Sequence, residues 1–330
     1  MLDAAYTTVS KLKFNQAQLR EVFEWRAQRV LARFADFSML YGDNDIVPEY
    51  ADTMVVVRVS EGCPRRCIYC PEPGKFKLYN EQKVRENMDL ARRLQEKYHG
   101  PAIVMMDEGF INASDVLWHH LKSGGVDPLR IVQLFKKTFP ELRKIYSFVG
   151  VPNFNQISRD DKHYLDALFN YDAINRVLIG IETCDDDTSR FLGKNESREE
   201  KVYALRTLAS MGQSHGVKVK AIIQIGMTGK GFYFQDSFIS SRTALERTAK
   251  SLYDASSSST YKRPFYVLIS RYVPVQRTLL TMMHKNGRIV PYDTSQGVEE
   301  DVHFFITTLK KMDVQGRIRI EDHYQVALQE

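Results

Sequence analysis

Residues 54–71 read MVVVRVSEGCPRRCIYCP. The run 54–59 is apolar and β-branched apart from Arg58, which suits a buried strand. A Ser-Glu-Gly turn ends it and leads into Cys63, Cys67 and Cys70 at the spacing C-x3-C-x2-C, with Pro64 and Pro71 marking an exposed loop. Four cysteines in 330 residues are too few for a disulfide framework. Three of them inside eight residues point to metal or redox chemistry in a reducing compartment. Three thiolates on one loop can each ligate one iron of a cubane, which leaves the fourth iron without a protein ligand. Catalytic metals keep such an open position, whereas structural zinc wants a fourth donor. Only Cys184 or a histidine could supply one here. A non-catalytic zinc or iron–sulfur loop with a structural or partner-binding role therefore stays open at this point.

Outward from this loop, short β-branched runs alternate with amphipathic segments. Strands are expected over 54–59, 102–106, 145–150, 174–182, 217–226 and 265–271. Helices are expected over 15–37, 81–98, 158–169 and 237–255, with another opening at Asp127-Pro128. Ser197 and Glu200 form a capping box for a helix ending near Gly212. Strands that alternate with helices imply βαβ units and a parallel sheet. Six units make a partial (β/α)6 TIM-like barrel, whose active groups belong at the C-terminal strand ends. The expected organisation is an N-terminal helical extension over 1–53, a core over 54–271 and a C-terminal extension over 272–330. In that extension a helix is expected over 301–312 and a strand over 316–320.

The bulk numbers exclude several classes. A hydrophobic fraction of 43% and a charged fraction of 26% are those of a folded soluble chain. No apolar stretch approaches membrane-spanning length, and the N-terminus has no signal-peptide pattern, so a cytoplasmic protein without a membrane partner is expected. The net charge of +5 is compatible with a nucleic-acid partner without arguing for one.

The segment 63–70 resembles the C-x3-C-x-aromatic-C motif of the radical S-adenosylmethionine (SAM) superfamily, with Tyr69 as the aromatic. Residues 176–182 (RVLIGIE) followed by Phe191-Leu-Gly-Lys194 resemble the "G-I-E-S … L-G-K" signature of its Elongator-type, methylthiotransferase-type and cobalamin-associated branches. The resemblance covers roughly residues 54–271. It implies a [4Fe–4S] cluster on Cys63, Cys67 and Cys70, with SAM chelating the open iron. The reduced cluster then passes an electron to SAM, and the resulting 5′-deoxyadenosyl radical takes a hydrogen atom from a substrate. An electron donor such as flavodoxin or ferredoxin is implied, and tRNA modification is an alternative carried by the branch. The resemblance also gives Glu182, beside Gly180, to the SAM ribose and Gly226 to the adenine turn. Family members carry Gly-Gly-Glu-Pro after the second strand for the SAM amino group. This chain has Met105-Met-Asp-Glu-Gly-Phe110 there, so Asp107 or Glu108 takes the acidic part. No cobalamin-binding or acetyltransferase domain fits the remaining length.

Other residues invite chemistry. Cys184, two residues past Glu182, is a candidate hydrogen-atom donor or substrate contact, or a small buried hydrophobe. Arg65 and Arg66 sit beside the cysteines, where they tune the site, meet an anionic partner or are simply loop arginines. His119 and His120 point to different helix faces and read as surface residues. The run Asp185-Asp-Asp187 reads as a helix cap.

Overall fold

The computed structural model describes residues 54–65, 67–70, 75–99, 107–257, 265–272, 278–294 and 296–323. The helix expected over 15–37, the strand expected over 102–106 and Arg66 lie outside them.

With strands numbered in chain order, seven form one sheet. Its order is β1 (Met54–Arg58), β4 (Glu108–Asn112), β5 (Lys144–Val149), β6 (Arg176–Glu182), β7 (Lys218–Ile225), β10 (Phe265–Arg271) and β12 (Ile318–His323). Every neighbouring pair is parallel. This is the partial TIM-like barrel expected from the alternating pattern, extended by a seventh strand from the C-terminal segment. Five of the six expected strands stand where the β-branched runs are. The described partner of β1 is Glu108–Asn112, a segment of low strand propensity where no strand was expected. Packing explains it: a Cβ at Gly109 would lie 2.6 Å from both Leu142 and Phe135, so a glycine is needed under the helix layer.

Ten helices are described: α1 (Glu81–His99), α2 (Trp118–Leu121), α3 (Pro128–Thr138), α4 (Val151–Asp160), α5 (Lys162–Leu168), α6 (Asp186–Phe191), α7 (Arg198–His215), α8 (Ser241–Ser256), α9 (Leu279–Lys285) and α10 (Gln296–Met312). The helix expected over 158–169 is two, divided at Asp161, whose carboxylate accepts from Tyr164 N and caps α5. The capping box of Ser197 and Glu200 is present, but α7 runs past Gly212 and ends at Gly216, in the left-handed conformation. Gly212 serves packing instead, since a Cβ there would meet Val217 O at 2.7 Å.

Alternate strand residues are buried: Val177, Ile179 and Ile181 on β6, and Val219, Ala221, Ile223 and Ile225 on β7. They join the core with residues of α1, α3, α7, α8 and α10. Two small antiparallel additions complete the structure: β2 (Ser60–Glu61) with β3 (Lys77–Leu78), and β8 (Gly231–Phe234) between β9 (Ser237–Ser240) and β11 (Ile289–Val290). Among the described residues no helix is long and apolar enough to cross a membrane.

Candidate active site

All seven long strands are parallel, so their C-terminal ends share one edge of the sheet. The cysteine loop leaves that edge after β1 and is bounded by the β2–β3 ladder. Gly62 opens it with φ 64°, a left-handed turn in which a Cβ would sit 2.9 Å from Lys75 O. Cys63, Cys67 and Cys70 are partly buried, and none is in a disulfide. Cys70 N donates to Cys67 O at 3.2 Å, which closes a tight turn. Ile68 N donates to Leu192 O (3.1 Å), and Leu280 N donates to Ile68 O (3.0 Å). The loop is thus stitched to the Leu-Gly-Lys segment on one side and to α9 on the other. Ile68 and Tyr69 also pack on an apolar cluster of Leu192, Met227, Phe232, Tyr272, Leu280 and Ile289.

The second part of the site is the end of β6. The β6–β7 register shifts between Gly180 and Glu182, a bulge that re-aims the strand end. Glu182 takes a left-handed φ of 59°, a conformation rare for a non-glycine residue and retained only where the surroundings impose it. Lys201 Nζ is part of those surroundings: fully buried on α7, it donates to Thr183 O (2.8 Å) and Ser189 Oγ (2.7 Å). Lys194 Nζ donates to Gly180 O (2.6 Å) and meets Glu182 Oε1 at 3.4 Å. A Cβ on Gly180 would lie 2.7 Å from that same carboxylate oxygen, so the glycine keeps room for Glu182.

The two parts face each other. Burial, then the nearby charges of Glu182, Cys67 and Cys70, raises the Tyr69 phenol well above its ordinary value. Burial also raises the Cys67 thiol, while Lys194, Tyr69 and Arg65 pull it down. Arg65, between the first two cysteines, bonds Glu196 Oε1 at 2.7 Å and lies 3.6 Å from Asp115 Oδ2. Burial pushes the Asp115 carboxyl up to about 6 against the pull of Arg65. Asp115, Lys194 and Glu196 were missed as a set by sequence reading, although Lys194 belongs to the quoted signature.

The donor set fits an iron–sulfur cluster. Three cysteines share one loop, with Arg65 between the first two; burial works against its charge, but Asp115, Glu196 and then Cys63 and Cys67 outweigh it and raise its pKa. Among the described residues no three His, Cys, Asp or Glu side chains are gathered around a point that would hold a single metal ion. A cubane takes each thiolate on a different iron, so it does not require that convergence.

Other expectations are corrected. Asp107 and Glu108 stand at the start of β4, at the opposite end of the sheet from the cysteines, and pair with Lys144 at 2.9 and 3.0 Å. The segment that leaves the cysteine edge after β4 is 112–115. Cys184 is 1% exposed inside the core, with its thiol raised to about 11 by burial, so it is enclosed rather than presented to the cysteines. His119 is buried, not a surface residue, while His120 stacks on Tyr164. Asp185 caps α6 as expected, accepting from Thr188 N at 2.8 Å. Gly226 follows β7 on the cysteine edge with φ 100°, which requires glycine.

The sequence model described as the radical SAM superfamily matches residues 57–232, more than half of the chain. No curated protein matches the sequence. Among solved structures, methylornithine synthase (PylB) is 14% identical with a TM-score of 0.45, covering 92% of this chain and 82% of that one. The archaeal Methanocaldococcus infernus Elp3 with an N-terminal deletion is 13% identical with a TM-score of 0.47, covering 82% of this chain and 55% of that one. The cobalamin-dependent SAM radical enzyme OxsB is 13% identical with a TM-score of 0.41, covering 74% of this chain; the chain spans 30% of OxsB's length.

Proposed function

The chain belongs to the radical SAM superfamily, and from that premise we propose that Cys63, Cys67 and Cys70 hold its [4Fe–4S] cluster while Tyr69, Gly180, Glu182 and Gly226 line the SAM site. Members of the superfamily are enzymes whose cofactors are this cluster and SAM. When bound, the pair supplies a 5′-deoxyadenosyl radical that removes a hydrogen atom from a substrate. The observation that carries the residue assignment is the meeting of two distant segments at one sheet edge: Ile68 of the cysteine loop bonds Leu192 O, and Lys194, two residues on, holds Gly180 O and Glu182 at the end of β6.

The chain's own residues have separable parts in this reading. The Glu182 carboxylate, held by Lys194, offers two acceptor oxygens to a ribose diol. Gly180 leaves that carboxylate its space. Gly226 lets backbone come close to an adenine. Segment 112–115 takes the place beside the amino group that Asp107 and Glu108 do not reach. Tyr69 and Ile68 close one side of the site with the apolar cluster and keep water from the cysteines. The rival reading, a closed zinc loop, needs a fourth donor, and Cys184 is enclosed in the core. Cysteines outside any disulfide fit a reducing, cytoplasmic setting. A flavodoxin- or ferredoxin-type protein is the proposed electron donor. A tRNA substrate would reveal itself by binding that weakens steeply with salt.

The test is anaerobic reconstitution with iron and sulfide, followed by EPR of the reduced protein with and without SAM. A [4Fe–4S]+ signal that changes when SAM is added, with 5′-deoxyadenosine formed, is expected. Cys67→Ala should abolish both while its circular dichroism stays that of the wild type. Stoichiometric zinc and no cluster, or full SAM cleavage by the Cys67→Ala variant, would overturn the assignment.

A further inference from the structure

Arg65 stands between Cys63 and Cys67 on a surface loop, yet its side chain is only 20% exposed. Its two partners are more deeply buried: the Asp115 side chain is 1% exposed and that of Glu196 is 2%. The three come from separate places in the chain, namely the cysteine loop, the segment after β4 and the segment after the Leu-Gly-Lys signature. Asp115 is itself fixed, accepting from Leu117 N (3.1 Å) and from Asn153 Nδ2 (2.6 Å). Burying three charged groups is costly, the more so as Arg65 Nη2 faces Asp115 without a hydrogen bond, so the charged cluster is weak evidence of a stabilising role.

Gly150 makes the arrangement possible. It precedes α4 at the C-terminal end of β5, with φ −97° and ψ 139°, a backbone that any residue adopts. Its own conformation therefore does not demand glycine. What demands it is the arginine: a Cβ at Gly150 would overlap Arg65 Nη2 and crowd Asp115 Oδ2. The notch and the guanidinium are made for each other. A planar guanidinium reaches two carboxylates at once, which a lysine ammonium does only with difficulty.

We propose that Arg65 is the positioning residue of the cysteine loop: seated in the notch at Gly150 and clamped between Asp115 and Glu196, it holds Cys63 and Cys67 in the shape that receives the cluster. The inference rests on the reading of that loop as the cluster's seat. It differs from the hydrogen bonds at Ile68, which hold the other half of the loop. Arg65 anchors the half that carries the first two cysteines to the ends of β4 and β5.

The experiment compares wild type, Arg65→Met, Gly150→Ala and the double variant. In the apo-protein, the rate at which a thiol reagent modifies each of Cys63, Cys67 and Cys70 is followed by mass spectrometry. In the reconstituted protein, the loss of iron to a chelator is followed by absorbance. Both single variants should react at Cys63 and Cys67, and release iron, about tenfold faster than wild type. Gly150→Ala should cost less in the Arg65→Met background than in wild type, because the guanidinium is gone and only the crowding of Asp115 Oδ2 remains. Arg65→Lys should fall between. Wild-type rates in both Arg65→Met and Gly150→Ala, or fully additive effects in the double variant, would overturn the proposal. Should Arg65→Met fail to fold, Gly150→Ala alone carries the test. A wild type that takes up no cluster would sink the cluster reading, while the thiol rates would still decide whether the clamp exists.

Discussion

At the scale of single residues, the strained one is the most informative. Glu182 sits at a left-handed φ with its carboxylate 12% exposed and turned toward Lys194 and Tyr69. Its carboxylate is a counter-ion to the buried Lys194, which lies 3.4 Å away, while Thr183 and Lys201 are satisfied by backbone and hydroxyl groups. A carboxylate held in an unfavourable backbone conformation points to a ligand. Glu182→Gln keeps the shape and removes the charge. SAM binding, measured by equilibrium dialysis on the reconstituted protein, should weaken by roughly tenfold to a hundredfold, the range for losing a charge-assisted hydrogen bond. Iron content should not change, because Glu182 is not a cluster ligand. Unaltered affinity would remove Glu182 from the SAM site. The cysteine loop was a candidate in the sequence because its spacing is local and chemically specific, and Glu182 was one through the resemblance of its strand to a family signature. Asp115 and Glu196 were not, because nothing local distinguishes a buried carboxylate from an exposed one until the fold brings Arg65 to it.

At the scale of elements, the sequence was legible wherever one local force decides the outcome. Asp127-Pro128, Asp185 and the pair of Ser197 and Glu200 start helices as their side chains require. It was not legible where packing overrides propensity, as at β4, which keeps Gly109 beneath Phe135 and Leu142. The helix α2 gives a measurable case. His119 was read together with His120 as a surface residue, but α2 turns it inward to bond Val126 O at 3.1 Å through Nδ1. Nδ1 is then the protonated nitrogen of the neutral ring, and Nε2 is buried without a partner. Burial lowers the His119 pKa to about 4. In the unfolded chain it titrates near 6.5. A depressed folded value means that the unfolded chain binds the extra proton first. The contribution of neutral His119 is therefore whole above about pH 6.5 and is lost as pH falls toward 4, at about 1.4 kcal/mol per pH unit for one proton. Wild type should lose stability between pH 7 and pH 5 in urea melts, and His119→Asn should lose less over the same interval. Parallel curves for the two proteins would show that His119 is not the group responsible.

At the scale of the whole molecule, the sheet is a row of parallel strands whose outer strand comes from the C-terminal segment. Five strands were legible because β-branched runs mark buried parallel strands. The seventh, Ile318-Arg-Ile-Glu-Asp-His323, has only two apolar residues, which suits a strand at the edge of the sheet. One of its polar residues, Glu321, is engaged across the sheet. Glu321 reaches over β10 to Lys218 (3.0 Å) and Lys220 (2.6 Å) on β7, two strands away. Lys218 also lies 3.8 Å over the ring of Tyr266 on the strand between them. Burial works against the Glu321 charge, but hydrogen bonds from Lys220 and Lys218 outweigh it and lower the pKa. A lowered carboxyl pKa means that this stabilisation is present above the ordinary glutamate range and is lost as pH falls through the folded value. The pairs are partly solvated, so the contribution is modest. Glu321→Ala should cost about 1 kcal/mol at pH 7, since it leaves two lysines without their shared counter-ion, and the cost should shrink in high salt and at acid pH. In a Lys218→Met, Lys220→Met background, Glu321→Ala should cost less than in wild type, because the partners are already gone. Chemical denaturation of the four proteins closes this cycle. An equal cost in both backgrounds would mean that β12 is held by its backbone ladder and apolar side chains alone, with the ion pairs incidental to the sheet.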